Sequence, residues 1–179
     1  FTIERVEVIR GPAVLVHSPI TIGGIVNVIR NEINRDFSNS IEGMAGIYGE
    51  SANKGLLGSG ILQVPVNDFL FRYEFSRRTT ENLQTPIRAL PNSNSTLINQ
   101  SGSFSYRFGT GYTGMSVRNF SLNYGIPGGF VGAHPDGVRI NLFKRAYTAK
   151  LYMDLHYDYI SAIDFRVSRN YFSQQEFES

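Results

Sequence analysis

The sequence predicts an all-β fold of long antiparallel strands, of the kind that forms the wall of a transmembrane barrel. Three observations carry that expectation. Aromatic residues alternate with polar ones over residues 71–76 and 103–108, the period-two pattern of a strand with two unlike faces. The strand-like segments run to about 10 residues or more, the length a tilted strand needs to cross a bilayer and longer than most soluble strands. After the first hairpin the connections between them alternate short and long, as in outer-membrane barrels. Composition agrees: 10 Tyr and 13 Phe with no Trp in 179 residues, and a mean hydropathy of −0.17. No apolar run is long enough for a transmembrane helix, whereas alternating barrel strands average to such a value.

The first 30 residues differ in character from the rest. Residues 2–10 place Ile3, Val6, Val8 and Ile9 among Glu4, Arg5, Glu7 and Arg10, a β-branched, charge-laced strand pattern. Gly11 and Pro12 stop it, since proline offers no amide donor and glycine permits the turn. Residues 13–16 are too short and apolar to sit in water and should pack. Past Ser18 and Pro19, Gly23 and Gly24 let the backbone approach closely, and residues 25–29 are apolar enough for a strand covered on both faces. On pattern alone this stretch also reads as a βαβ-like unit of a soluble α/β protein. Residues 31–39 are polar and read as a link.

Seven strands follow. Residues 41–50 alternate weakly, with Ile41, Gly43, Ala45, Ile47 and Gly49 on one side. Residues 51–55 have turn chemistry, and residues 56–66 return. After a tight turn at Val66-Asn67-Asp68, Phe69, Phe71, Tyr73 and Phe75 face one way and Leu70, Arg72, Glu74 and Ser76 the other. A soluble sheet could share the pattern, but it would have to bury four aromatic rings in one core face. Residues 79–96 form a long polar loop. In residues 97–108, Phe104, Tyr106 and Phe108 oppose Ser103, Ser105 and Arg107. After Gly109-Thr110-Gly111, residues 112–124 move their apolar set from Met115 and Val117 to Phe120, Leu122 and Tyr124, a change of phase that predicts a β-bulge at Arg118-Asn119. Residues 125–137 make a second long loop. Residues 138–155 form a strand that changes phase between Leu142 and Tyr147. A turn at His156-Tyr157-Asp158 leads to residues 160–172, where Ile163, Phe165 and Val167 oppose Asp164, Arg166 and Ser168.

Two blocks carry a family resemblance. IERVEVIRGP at residues 3–12 followed by IGGIVNVI at residues 22–29 resembles the end of the plug domain of a TonB-dependent outer-membrane receptor, in order and separation. The chain departs at residues 14–21, where the family has small residues and a Tyr-Gly-Ser-Gly stretch, so that loop should differ in shape. The resemblance implies that residues 1–38 are the C-terminal part of an α+β plug. Residues 39–179 would then be about the first seven strands of an antiparallel barrel of about 22 strands. The chain begins and ends mid-pattern without a leader, so it reads as a fragment lacking the export signal, the TonB-contacting segment and most of the barrel.

A second resemblance lies in the last long loop. NYGIPGG at residues 123–129 and HPDGVRI at residues 134–140 are similar to a Tyr-Gly-Ile/Leu-Pro-Gly…Gly-Val-Arg-Ile pattern in a receptor subgroup that includes zinc and haem uptake receptors. Their loop is often rich in histidine and acidic residues, whereas here His134 and Asp136 stand alone. Together they fall short of a tetrahedral zinc set, so His134 as a metal ligand stands beside a loop-ordering His-Pro turn. His17 reads as packed or facing a vestibule, and His156 as a solvated turn residue.

The family implies energised uptake of a scarce ligand across the outer membrane of a Gram-negative bacterium. TonB and its inner-membrane complex would be the partners, with outer-membrane lipid around the wall. Few histidines put an iron complex, siderophore or haem, ahead of zinc. Arg5, Glu7 and Arg10 would hold plug to barrel, because charges in a closed lumen need partners. Gly11, Pro12, Gly23 and Gly24 would shape the plug turns. Tyr124, His134 and Asp136 are the external-loop ligand candidates. Arg72, Glu74, Arg107, Asp164 and Arg166 would face the lumen, or form a solvated face. A passive porin or adhesin-like barrel, uptake of zinc or a glycan, and a soluble β-rich binding domain remain open.

Other classes find little support. A formal net charge of +2 makes no electrostatic case for nucleic acid. The absence of cysteine excludes disulfides and thiolate metal sites. No Gly-x-Ser-x-Gly, Gly-x-x-x-x-Gly-Lys-Ser/Thr or His-Glu-x-x-His motif occurs, so neither an enzyme nor a cofactor is expected. The sequons at Asn94, Asn99 and Asn119 are chance matches on this reading.

Overall fold

The computed structural model of the protein describes residues 3–11, 23–30, 32–128 and 135–178. Its regular elements there are strands, in two antiparallel sheets. β1 (Ile3–Ile9) and β2 (Ile25–Arg30) form a two-stranded sheet with Val6 opposite Val28 and Glu7 opposite Asn27. Antiparallel pairing removes the βαβ alternative, which needs parallel strands. Gly11 and Gly23 have φ of +73° and +93°, the left-handed region that glycine enters freely. A Cβ on Gly24 would lie 3.1 Å from the Ile9 carbonyl oxygen, so the close approach expected there is to β1. Pro12 lies outside the described residues.

One expectation for this region is overturned. β2 is not covered on both faces: Val26 is 65% and Val28 42% exposed. A two-stranded sheet gives each strand a single ladder partner and has only one face to lay against a neighbour.

The second sheet contains β3 (Glu42–Glu50), β4 (Gly55–Val66), β5 (Phe69–Thr80), β6 (Ser95–Phe108), β7 (Gly111–Ile126), β8 (Val138–Tyr157) and β9 (Ile160–Glu178), each paired with its sequence neighbours. Asn67, with φ +54°, allows the tight turn between β4 and β5. The last turn falls at Asp158-Tyr159 rather than at residues 156–158, so His156 belongs to β8.

The two faces of this sheet are opposite in character. Phe69, Phe71, Tyr73 and Phe75 are exposed, while Leu70 and Glu74 between them are buried. One row of partners, Val64, Phe71, Phe104, Met115, Ala149 and Val167, crosses six strands on the open face. The row below it runs Val66, Phe69, Tyr106, Thr113, Leu151 and Phe165. Phe71, Phe104, Met115, Val167, Val66, Phe69 and Phe165 in these two rows are all exposed, and a contiguous exposed apolar band marks a contact face.

The expected bulge at Arg118-Asn119 is absent. β7 keeps one register with β8 from Gly111 opposite Met153 to Ile126 opposite Val138, and its register with β6 is equally unbroken. The phase changes in β7 and β8 have another cause. On the open face the band ends at a row containing Gln100, Asn119 and Arg145, where Arg145 Nε donates to Asn119 Oδ1 at 2.6 Å. The strands outrun the band. In β7 the open face beyond that row carries Ser121 and Asn123, and Phe120, Leu122 and Tyr124 lie half-buried on the other side. The irregularity between β8 and β9 occurs instead at Asp154/Tyr157, beside the turn.

Candidate functional site: a buried charge cluster and a loop clamp

Period-two alternation brings Glu74 of β5, Ser101 of β6 and Arg118 of β7 into one row on the covered face, and Arg72, Ser103 and Ser116 into the next. Onto these rows lies the segment that follows β2. Arg118 Nε donates to Glu32 Oε1 at 2.6 Å, Ser116 Oγ to Glu32 Oε2 at 3.1 Å, and Ser103 Oγ to the Glu32 carbonyl oxygen at 2.6 Å. Arg118 also donates to Asn99 Oδ1 at 3.0 Å and to Glu74 Oε2 at 3.4 Å. Arg72 holds Glu74 Oε1 through Nε at 2.9 Å and Nη2 at 2.6 Å. The side chains of Arg72, Glu74 and Arg118 are 7–9% exposed.

Small residues make room for this segment. A Cβ on Gly114 would meet Phe104 O at 2.5 Å and Ile33 Cγ2 at 2.6 Å, and Ile33 is 7% exposed. Ile33 therefore occupies the space a side chain at 114 would fill. Nearby, Asn34 Nδ2 donates to Gln63 Oε1 at 3.0 Å. Among the described residues no buried side-chain polar atom lacks a partner, the condition under which buried charges are tolerable. Arg30 sits at the edge of the cluster. Desolvation first, and the Arg118 guanidinium second, lower its pKa, while Glu32 and Glu74 act the other way.

The residues singled out for holding the first sheet to the second behave differently. Arg5 Nε meets Glu7 Oε1 at 2.7 Å within β1, and Asn27 Nδ2 donates to Glu7 Oε2 at 3.1 Å. Arg10 is exposed. Of the inward set, Arg72 and Glu74 are buried. Arg107 lies 3.6 Å from Asp68 at an exposed position and over the Phe37 ring, and Asp164 lies 3.7 Å from Lys150. Sequence reasoning took residues 31–39 for a polar link and missed Glu32. A signal existed in the run of small residues, Ser101, Ser103, Ser105, Gly114 and Ser116, on the face opposite the aromatics.

At the far end of the sheet the two long connections are fastened together. Asn92, with φ +53°, donates from Nδ2 to the carbonyl oxygens of Ile126 and Val138, both at 3.0 Å. Gly125 N donates to Asn94 O at 3.1 Å. Arg139 donates to Asn123 Oδ1 and to Asn94 Oδ1, at 2.5 and 2.8 Å. Glycines 125 and 137 are required here, since a Cβ on either would run into the Asn92 amide within 2.7 Å. Tyr124 is half-buried, opposite Ile140. Asp136 is exposed and lines a polar cavity with Arg139 and Asn92. His134, His17 and the side chain of His156 lie outside the described residues. Among the described residues no group of three or more His, Cys, Asp or Glu is placed to hold a metal ion.

No protein-family model matches the chain, and no curated protein is significantly similar to it.

Proposed function

We propose that the chain is the end of the plug and the first seven wall strands of a TonB-dependent outer-membrane receptor, which imports a scarce ligand, foremost an iron complex such as a siderophore or haem. The observation that carries this reading is the inversion of the seven-stranded sheet, with its apolar band on the open face and the buried ion pairs of Arg72, Glu74 and Arg118 on the covered one. Water favours the reverse. A bilayer favours this arrangement, because hydrocarbon accepts the aromatic face and the strands pair their own backbone groups.

The segment that lies on the polar face follows directly from the two blocks that resemble a plug, as the reading requires. In the proposed cycle a ligand binds at the external loops, near Tyr124 and Asp136. TonB, energised across the inner membrane, then draws on the plug, and the ligand passes along the polar face. The iron preference rests on the resemblance of residues 123–129 and 134–140 to the zinc and haem subgroup and on the scarcity of histidine.

The test is uptake into cells carrying or lacking the full-length gene, with ferric siderophore, haem and zinc supplied separately and the proton gradient intact or collapsed. Uptake of one ligand that needs both gene and gradient is the expected result. Uptake that survives collapse of the gradient would instead make this a passive barrel.

A further inference from the structure

The charges of the seven-stranded sheet are sorted by sign between its faces. Every acid carried by β3–β9 has the parity of the covered face, from Glu42 and Glu50 on β3 to Glu176 and Glu178 on β9. Among the described residues the open face of these strands holds arginines and no carboxylate. One of them, Arg139, is committed to the loop clamp through Asn123 and Asn94. The other three fall in successive rows. Arg169 stands opposite Tyr147 in the last row of the apolar band, Arg145 opposite Asn119 and Tyr171 in the row that ends it, and Arg77 opposite Ile98 in the row after. All three lie toward the long connections, and the turn side of the band carries no cation on this face among the described residues.

Two of these arginines share a site with aromatic rings. Arg145, Arg169, Phe143, Tyr147 and Tyr171 line an open cavity of about 610 Å³. Arg145 Nε donates to Asn119 Oδ1 at 2.6 Å, its guanidinium lies over the Phe143 ring at 5.4 Å, and the Phe143 and Tyr171 rings are 6.3 Å apart. Arg169 makes no hydrogen bond or ion pair among the described residues. Tyr147 and Tyr171 are exposed, and tyrosine, apolar in its ring and polar at its tip, suits the boundary between hydrocarbon and water.

A guanidinium is costly at the midplane of a bilayer and tolerated at its edge, so the arginine rows mark the level at which hydrocarbon would end. That is the level of lipid phosphates. With no carboxylate on the face to neutralise them, Arg145 and Arg169 need their counter-charge from outside the protein, and the arginine fork matches phosphate oxygens in pairs. The band beside them takes acyl chains. A phosphate site continuous with an apolar strip fits a lipid better than a free anion, which would leave the strip bare.

We infer that Arg145 and Arg169, with Tyr147 and Tyr171, bind the phosphate of an anionic lipid in the leaflet next to the long connections, its acyl chains lying along the apolar band. The inference rests on the outer-membrane reading for its setting, in which the lipid is a phosphorylated glycolipid of the outer leaflet, and not on what is imported.

The experiment is equilibrium binding to purified full-length protein in neutral detergent, read by native mass spectrometry, with three probes: lipid A carrying both phosphates, lipid A stripped of them, and inorganic pyrophosphate. Gradient-dependent uptake is followed in cells carrying the same variants. Wild-type protein is expected to bind phosphorylated lipid A at least tenfold more tightly than either other probe. Arg145→Gln and Arg169→Gln should each weaken that binding about tenfold, the loss of a charge-assisted hydrogen bond. Arg169→Lys should fall between, keeping the charge but losing the fork. Arg107→Gln, the same loss of charge at the turn end of the sheet, should leave binding unchanged.

Equal binding of the stripped lipid overturns the inference, because acyl chains alone would then account for it. Pyrophosphate bound as tightly as the lipid overturns it in favour of a free-anion site, and no binding of phosphorylated lipid A overturns it outright. Folded Arg145→Gln and Arg169→Gln proteins that bind like wild type, or an Arg107→Gln protein that loses as much as they do, also overturn it. Any of these results beside intact gradient-dependent uptake leaves the transport reading standing. Lipid binding that follows Arg145 and Arg169, with no gradient-dependent uptake, supports the lipid site and removes the transport reading.

Discussion

Two guanidinium–carboxylate pairs in this molecule have nearly the same length and opposite meaning. Arg118 meets Glu32 at 2.6 Å and Arg5 meets Glu7 at 2.7 Å. The first joins residues 86 positions apart, is 7% and 17% exposed, and fastens the segment after β2 to the seven-stranded sheet. The second joins residues two apart on one strand and is 58% and 36% exposed. Contact length does not separate them. Burial and reach do, because a charge that water cannot solvate depends on its partner and a solvated one does not.

The sharpest way to break the comparison is to remove one member of the buried pair. Glu32→Ala leaves Arg118 facing Glu74 and Asn99 with no counterpart from the segment, and a broken buried pair costs about 3–5 kcal/mol. The cost should appear as detachment of residues 32–36. Because the chain has no cysteine, Ile33→Cys gives a clean reporter there. Its thiol should be protected in the parent background and react about a hundredfold faster or more beside Glu32→Ala, since each 1.4 kcal/mol is about tenfold in an equilibrium. Equal reactivity in the two backgrounds would show that the cluster does not hold the segment.

A second substitution attacks the same contact from the wall. Gly114→Ala puts a methyl 2.5 Å from Phe104 O and 2.6 Å from Ile33 Cγ2. The first neighbour is backbone and cannot step aside, so the segment must lift or the ladder shift, at about 1–3 kcal/mol. Denaturant unfolding should show that loss, and amide hydrogen exchange over residues 32–36, measured with Ile33 in place, should rise in step. If stability falls with no change in that segment, the strain lies in the β6–β7 ladder alone.

How far the sequence could be read follows from the same physics. The strand order and the two-faced pattern of β5, β6 and β9 were legible because a period of two leaves its mark in the chain itself: Phe71 and Arg72 declare their faces without help. The phase change in β7 was visible but ambiguous, since a bulge and a strand leaving an apolar band give the same run from Val117 to Phe120. Only the neighbours Gln100 and Arg145, beside Asn119 in the register, distinguish them. The charge cluster was legible in half. Arg72 and Glu74 fell on the polar face, but Glu32 sits in a stretch with no periodicity, and its partner Arg118 lies 86 residues away. The clamp at Asn92 was not legible, because it depends on two carbonyls at the facing ends of β7 and β8 and on the left-handed backbone of Asn92.

The smallest effect belongs to the exposed pair, and it tests whether the comparison was drawn in the right place. A double-mutant cycle on Arg5→Ala and Glu7→Ala isolates their mutual term from whatever else either side chain touches. With Arg5 more than half exposed, solvent screens the attraction, and the coupling should be under about 1 kcal/mol and shrink further in high salt. The parallel cycle on Arg118→Ala and Glu32→Ala should give the larger coupling and little salt dependence, because ions do not reach a side chain that is 7% exposed. If the Arg5–Glu7 coupling instead matches the Arg118–Glu32 value and resists salt, then β1 is screened from water in the folded protein. The first sheet would then be held to the second through its own charges rather than through the segment that follows it.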